Sequence, residues 1–215
     1  MEIFDNTVFT LNPNISWEYI KTPIATLAII DEFYENVDAV THELSKLAGA
    51  KTASHCDEVE DYRLSYKNTM DGTEFPFTSA YKNVVSDIIS CKSSITHSDE
   101  VTINVNRLRT DRALSEYYNI HKDFKAQPDK QKDVISTVVM LNDHYNDGEG
   151  TSFFHDRQDM PYWVDKDSLE LLYFMQGKKN RAVVFSAQLN HGATYSTTQF
   201  MDEYRYTQAI FSDIA

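Results

Sequence analysis

Two regimes of apolar patterning divide the chain. In the first hundred residues, Ala25 to Ile30 (ATLAII) is a short branched apolar run and predicts a strand. Asn36 then stands where a helix cap belongs, ahead of Val37, Val40, Leu44 and Leu47 at helical spacing. A second helix is predicted over Ser79–Ser90, with Tyr81, Val84, Val85, Ile88 and Ile89 on its buried face. From Val101 the period changes to two. Val101–Val105 alternates, Ile135–Leu141 (ISTVVML) reads as a buried strand, and Asn146-Asp147-Gly148 supplies turn chemistry. Thr151–Phe154 is extended, Leu169–Met175 fits a strand or a short helix, and Arg181–Phe185 and Tyr204–Phe211 are further strands. Helices followed by many short strands predict a mainly β protein with supporting α, a sandwich or jelly roll with the N-terminal helices packed on one sheet. No repeat or linker interrupts it. One domain over residues 1–215 is expected, with a support segment of about 1–100 and a strand-rich core of about 101–213.

Composition narrows the function classes. Lys and Arg number 20 against 33 Asp and Glu, a formal charge of −13, which argues against a protein that grips nucleic-acid phosphates. No apolar run is long enough to span a membrane, and Met1–Thr10 carries Glu2 and Asp5 where a secretory leader needs basic and then apolar residues. Cys56 and Cys91 are too few for a disulfide scaffold or a thiolate metal site and are expected to be free thiols. The expectation is a cytoplasmic protein. The acidic run Cys56 to Asp61 is expected to be a solvated loop.

The 7 histidines are the candidate metal chemistry. With acidic residues at 33 of 215 positions, about one His-x-acid pair arises by chance, yet there are three: His55/Asp57, His97/Asp99 and His121/Asp123. Strand geometry gives the spacing its meaning, because residues i and i+2 project from one face and can reach one ion together. Only His121-Lys122-Asp123 heads the strand-rich half. His191 follows the strand Arg181–Phe185 and is itself followed by a strand carrying Arg205. Two imidazoles and one carboxylate form a facial triad that leaves three adjacent positions open on Fe(II).

Together these segments resemble the iron(II)- and 2-oxoglutarate-dependent dioxygenases, in particular the compact prolyl-hydroxylase-like branch. NIHKDF gives His121 and Asp123, and RAVVFSAQLNHG resembles the strand and turn that lead to the distal histidine, His191. VVMLNDHYNDGEGTSFF is similar to the stretch that carries Leu-Asn and then Gly-Gly-Glu-Thr-x-Phe, with Gly148-Glu149-Gly150 in place of two adjacent glycines. EYRYTQAIF resembles the final strand, with Arg205 and Thr207, although 14 residues separate Arg205 from His191, a little more than is common. LAIIDEFYENVDAVTHEL looks like the strand and helix that often precede the barrel. The resemblance is tight over about 105–211 and looser before it.

It implies a double-stranded β-helix, a cupin-like jelly roll, with Fe(II) on His121, Asp123 and His191. 2-Oxoglutarate is implied as cosubstrate beside O2, its distal carboxylate paired with Arg205 and Thr207, and Tyr117 as a further contact from the strand before His121. Halogenating members carry Gly or Ala where Asp123 stands, so hydroxylation of a small-molecule or peptidyl C–H is implied, with release of succinate and CO2. Asn106 and Arg109, with Asn104 and Arg107 near them, are candidate substrate contacts, as are Asn142 and Trp163. Trp163 lies in the insertion Gln158–Asp167, which can serve as a lid or as a packed loop. Two other readings stay open: a cupin-like barrel that holds metal or ligand without turnover, and an Fe(II) oxygenase that does not use 2-oxoglutarate. Neither explains Arg205.

Overall fold

A computed structural model describes residues 6–45, 59–67, 78–90, 95–109, 118–123, 133–156 and 168–214. Eleven strands form two antiparallel sheets. The larger has seven strands in the order β1 (Glu18–Lys21), β2 (Thr26–Ile30), β9 (Arg181–Ser186), β6 (Asp133–Met140), β11 (Arg205–Ile214), β4 (Ile95–Leu108) and β3 (Val59–Lys67). The smaller has four, in the order β5 (Tyr118–His121), β10 (Asn190–Thr194), β7 (Gly150–Asp156) and β8 (Leu169–Gln176). Helices α1 (Val37–Ser45) and α2 (Thr78–Ile88), the short α3 (Gln199–Asp202) and a 3-10 turn at Asn6–Val8 complete the described elements.

Period-two alternation in the central strands explains the layering. Along β6 and β9, Val139, Leu141, Ala182 and Val184 meet Val40 and Leu44 of α1 and Tyr81, Val85 and Ile88 of α2. The residues between them, Met140, Val183 and Phe185, pack with Phe153 and Met175 of the smaller sheet. The larger sheet is therefore apolar on both faces, one under helices and one under strands. Asn36 caps α1 as its sequence position predicts, its side-chain oxygen accepting the Ala39 N–H at 3.1 Å. Among the described residues, no helix is long and apolar enough to cross a membrane.

Three elements depart from expectation. The acidic run does not stay a loop: Val59, Glu60 and Asp61 open β3, while residues 56–58 lie outside the described residues. β3 pairs only with β4, and an edge strand accepts charged residues readily. Leu169–Met175, which fits two elements by sequence, is strand throughout. β1 adds an edge beside β2, so the support segment contributes three strands to the larger sheet.

An ion-pair cluster fastens the end of β2 to the start of β9. Asp31 accepts from Arg181 Nε at 2.7 Å and Nη2 at 3.1 Å, and from Lys178 Nζ at 2.8 Å. The Arg181 hydrogen bond, against the opposing effect of burial and with help from Lys178, lowers the Asp31 carboxyl from 3.8 to about 2. Its folded value lies below its unfolded one, so its stabilisation is complete above about pH 4 and is lost as pH falls towards about 2. The Asp31 side chain is 41% exposed, and solvent screening reduces the contribution to about 1 kcal/mol. Asp31→Asn is expected to lower unfolding free energy by that amount at pH 7 in urea titrations, with the gap closing near pH 2. A gap that persists unchanged at pH 2 would refute the assignment.

Candidate active site

The smaller sheet brings the two halves of the histidine pattern together. β10 runs antiparallel to β5 with His191 directly opposite His121. Cross-strand neighbours in such a pair stand about 5 Å apart, and the two imidazole centroids are 4.6 Å apart at 45°. Asp123 lies two residues beyond His121, and its backbone N–H donates to the Ala187 carbonyl at 3.1 Å, which extends the antiparallel contact with the segment before His191. The carboxylate then lies 3.2 Å from His121 Nε2 through Oδ1 and 3.5 Å from His191 Nε2 through Oδ2. One ligand atom from each of His121, Asp123 and His191 lies within 4.8 Å of the others, the one such cluster among the described residues. His97 and Asp99 lie along β4, and His55 is outside the described residues.

Two of the three side chains, His191 and Asp123, are held in the form a cation needs. His191 is buried, and its Nδ1 is 3.1 Å from the Leu189 carbonyl, which can only accept. Nδ1 therefore carries the proton and Nε2 presents its lone pair to the centre. Burial holds the His191 ring below the usual imidazole pKa, against the pull of Asp123, so the neutral ligand form is favoured. Phe153 and Phe185 wall this ring at centroid distances of 6.3 and 4.7 Å. For Asp123, burial raises the carboxyl pKa, but the His121 hydrogen bond and the charges of His191 and His121 outweigh it and hold it below the ordinary value. Its Oδ2 is buried without a hydrogen-bond partner, which is costly unless a cation completes it. The His121 side chain is 41% exposed, against 10% for Asp123 and 7% for His191, so the cluster opens to solvent on the β5 side.

A buried cation stands in the same interior. Arg205 begins β11, is 4% exposed, and donates from Nη2 to the Gly150 carbonyl at 3.2 Å. Its Nε has no hydrogen-bond partner, and among the described residues no carboxylate pairs with it. The guanidinium sits 5.8 Å from the centroid of the Tyr195 ring. Thr207 follows at i+2 on the same face and is buried, and Asn106 pairs across from Arg205 and is nearly buried. Tyr145 stands close by; burial raises its phenol pKa, and the Arg205 charge opposes the rise.

The remaining sequence candidates are scattered. Arg109 is exposed just past β4, while Tyr117 and Trp163 lie outside the described residues. Arg107 lies over the Tyr204 ring at 4.8 Å, and His144 is exposed. Asn142 is committed to β11: its Nδ2 donates to the Tyr204 carbonyl at 2.6 Å, and its Oδ1 accepts the Tyr206 N–H at 2.7 Å. Tyr145 and Tyr195, which frame Arg205, were not singled out by sequence. Tyr195 had a usable signal, because positions 191, 193 and 195 share a face at period two.

No protein-family profile matches the sequence, and comparison with curated proteins finds no match. Solved structures do match in fold. EvdO2 from Micromonospora carbonacea var. aurantiaca, solved with 2-oxoglutarate, superposes with a TM-score of 0.57 at 13% identity, over 88% of this chain and 86% of that one. The epimerase SnoN, solved with Fe3+, alpha ketoglutarate and nogalamycin RO, gives 0.60 at 11% identity, over 88% and 79%. The collagen prolyl hydroxylase of Paramecium Bursaria Chlorella virus-1, also a 2-oxoglutarate complex, gives 0.52 at 14%, over 88% and 96%. The chain has the jelly-roll fold of these oxygenases. At such identities the likeness is one of architecture.

Asn142→Ala is expected to destabilise the fold by about 1 to 2 kcal/mol in urea unfolding, because two part-buried backbone groups of the 204–206 segment lose their partner. An unchanged midpoint would show that these bonds are dispensable and would return Asn142 to the candidate substrate contacts.

Proposed function

We propose that this protein is an Fe(II)- and 2-oxoglutarate-dependent oxygenase that hydroxylates an unactivated C–H of a small molecule or a peptidyl side chain. The observation that carries this reading is the convergence of His121, Asp123 and His191 across the β5–β10 pair, inside a fold shared with 2-oxoglutarate complexes. Two neutral imidazoles and a carboxylate suit Fe(II), and the partnerless buried Oδ2 of Asp123 fits a cation at their centre. Arg205 suits the distal carboxylate of 2-oxoglutarate, because a buried guanidinium with an unused donor is completed by a charge-assisted pair. Thr207 adds a hydroxyl on the same face, and Tyr117 a further contact from the segment before β5.

When bound, iron with O2 supplies the oxidising power that converts 2-oxoglutarate and R–H into succinate, CO2 and R–OH. The chain's own contribution is to place and protect. Leu189 orients His191 through Nδ1, Ala187 fixes the backbone of Asp123, and Phe153 and Phe185 keep water from the inner side. The open His121 side gives a substrate its approach, with Asn106, Arg109 and Trp163 as candidate contacts. With a carboxylate at Asp123, no ligand position is left for a halide, which favours hydroxylation over halogenation. A metal store or a 2-oxoglutarate-independent oxygenase has no use for Arg205 in this place.

Aerobic incubation with Fe(II) and 2-oxoglutarate is expected to form succinate slowly even without substrate, and yield no higher than an iron-free control would refute the reading. His121→Ala and Asp123→Ala are expected to abolish stoichiometric iron binding while His55→Ala retains it. Equal occupancy in all three would move the site elsewhere. Arg205→Ala is expected to raise the 2-oxoglutarate requirement by about 10- to 100-fold with little change in iron affinity, the cost of losing a charged hydrogen-bond partner.

A further inference from the structure

The turn that leads into β7 is held far more tightly than a connection between strands requires. Glu149 is fully buried, its Oε2 accepting the Asn146 N–H at 2.9 Å and its Oε1 the Thr197 hydroxyl. From the other side, Gln176 Nε2 donates to the Asn146 carbonyl at 2.9 Å and the Glu149 carbonyl at 3.1 Å, and its Oε1 accepts the Gly148 N–H at 3.0 Å. The Gly177 N–H donates to the Glu149 carbonyl at 2.7 Å. Asn146 Nδ2 donates to Thr197 Oγ1 at 3.0 Å and to Gln199 Oε1 at 2.8 Å, and the Ser196 hydroxyl donates to the Asp147 carbonyl.

Sterics close the same turn. A Cβ on Gly150 would lie 2.0 Å from the Met175 carbonyl oxygen, and one on Gly177 would lie 2.4 Å from the Tyr145 ring. Gly148 takes a φ of +81°, which other residues rarely adopt. The residue that follows the fastened Glu149 is Gly150, and its carbonyl accepts the hydrogen bond from Arg205 Nη2. A neutral side chain would make a cheaper link, since burying a charge is costly.

We propose that Glu149, held by Thr197 and Gln176, is a positioning residue for the cosubstrate. It fixes the Gly150 carbonyl, and through it aims the remaining Arg205 donors at a carboxylate placed a set chain length from the His121–Asp123–His191 cluster. This rests on the oxygenase reading and adds to it selectivity for a five-carbon 2-oxo dicarboxylate over longer or singly charged 2-oxo acids.

The test is anaerobic calorimetric binding to the iron-loaded protein. Three probes are compared: 2-oxoglutarate, 2-oxoadipate with one more methylene, and 2-oxobutyrate, which lacks the distal carboxylate. Thr197→Val keeps the side-chain shape but removes the donor to Glu149 together with the acceptor for Asn146 Nδ2 and the Gln199 N–H. It is expected to weaken 2-oxoglutarate by about 10-fold, the loss of one hydrogen bond to a charged group. The variant should also narrow the preference over 2-oxoadipate and leave 2-oxobutyrate within about twofold, while Thr197→Ser, which keeps the hydroxyl, should bind like the wild type. Equal weakening of 2-oxoglutarate and 2-oxobutyrate, or none, overturns the positioning role. Iron stoichiometry reports whether the variant is folded. Should Thr197→Val fail to bind iron, Gln199→Ala, which frees Asn146 from the outer side alone, is measured instead. It is expected to give the same pattern at about threefold, and no selective loss overturns the proposal. Wild-type protein that binds no 2-oxoglutarate overturns both this proposal and the oxygenase reading, whereas wild-type binding with unselective variants overturns this proposal alone.

Discussion

The pairing of a four-residue edge strand, β5, with β10 is the constraint on which the candidate site depends. It sets His121 beside His191, residues 70 positions apart in sequence, and it leaves Asp123 just past the strand end to donate to the Ala187 carbonyl. A slip of one residue would turn His121 away from the interior while leaving most of the backbone hydrogen bonds countable as before. Only the other contacts penalise such a slip: the Leu189 carbonyl on His191 and the Phe153 and Phe185 rings around it. The metal cluster is thus a statement about strand register before it is one about ligand chemistry.

Behind it, the N-terminal segment does more than cover a face. Asn180, at a φ of +64°, donates from its amide to the Tyr34 carbonyl and accepts the Tyr34 N–H, both at 2.8 Å. The same reverse turn carries Lys179, which bridges Asp38 at the start of α1 and Asp143 after β6. Polar groups in one turn therefore bind the helix, the end of β6 and the support segment together, while the apolar stripes of α1 and α2 supply the bulk of the burial.

How much of this was legible in the sequence follows from the kind of signal each part carries. His121 and Asp123 were legible because period two places i and i+2 on one face, and Arg205 because its strand follows His191 as in the family the sequence resembles. β10 was not, since Asn190-His-Gly-Ala-Thr holds a single β-branched residue, Thr194, and a glycine at its centre; it is strand because β5 and β7 flank it on both sides. β3 was hidden by its acidic start, although Tyr62, Leu64 and Tyr66 alternate behind it. The role of Asn142 was invisible for another reason: its partners are backbone groups 62 and 64 residues away, which leave no trace in composition or period.

Strand β11 shows what the helix-side face contributes to the chemistry opposite. Arg205 and Thr207 share one face of the strand, while Gln208, fully buried, accepts a hydrogen bond from the Tyr34 hydroxyl on the other. Tyr81, its phenol pushed up to about 12 by burial, makes a similar contact to Thr137 on neighbouring β6, at 2.7 Å. Hydrophobic contacts alone would tolerate a strand displaced by two residues, because one aliphatic side chain replaces another at little cost. A phenol that must find one particular amide does not. The Tyr34–Gln208 contact works as a locating pin: it favours a single alignment of the sheet, so that a tyrosine near the beginning of the chain helps to set the place of a guanidinium close to its end.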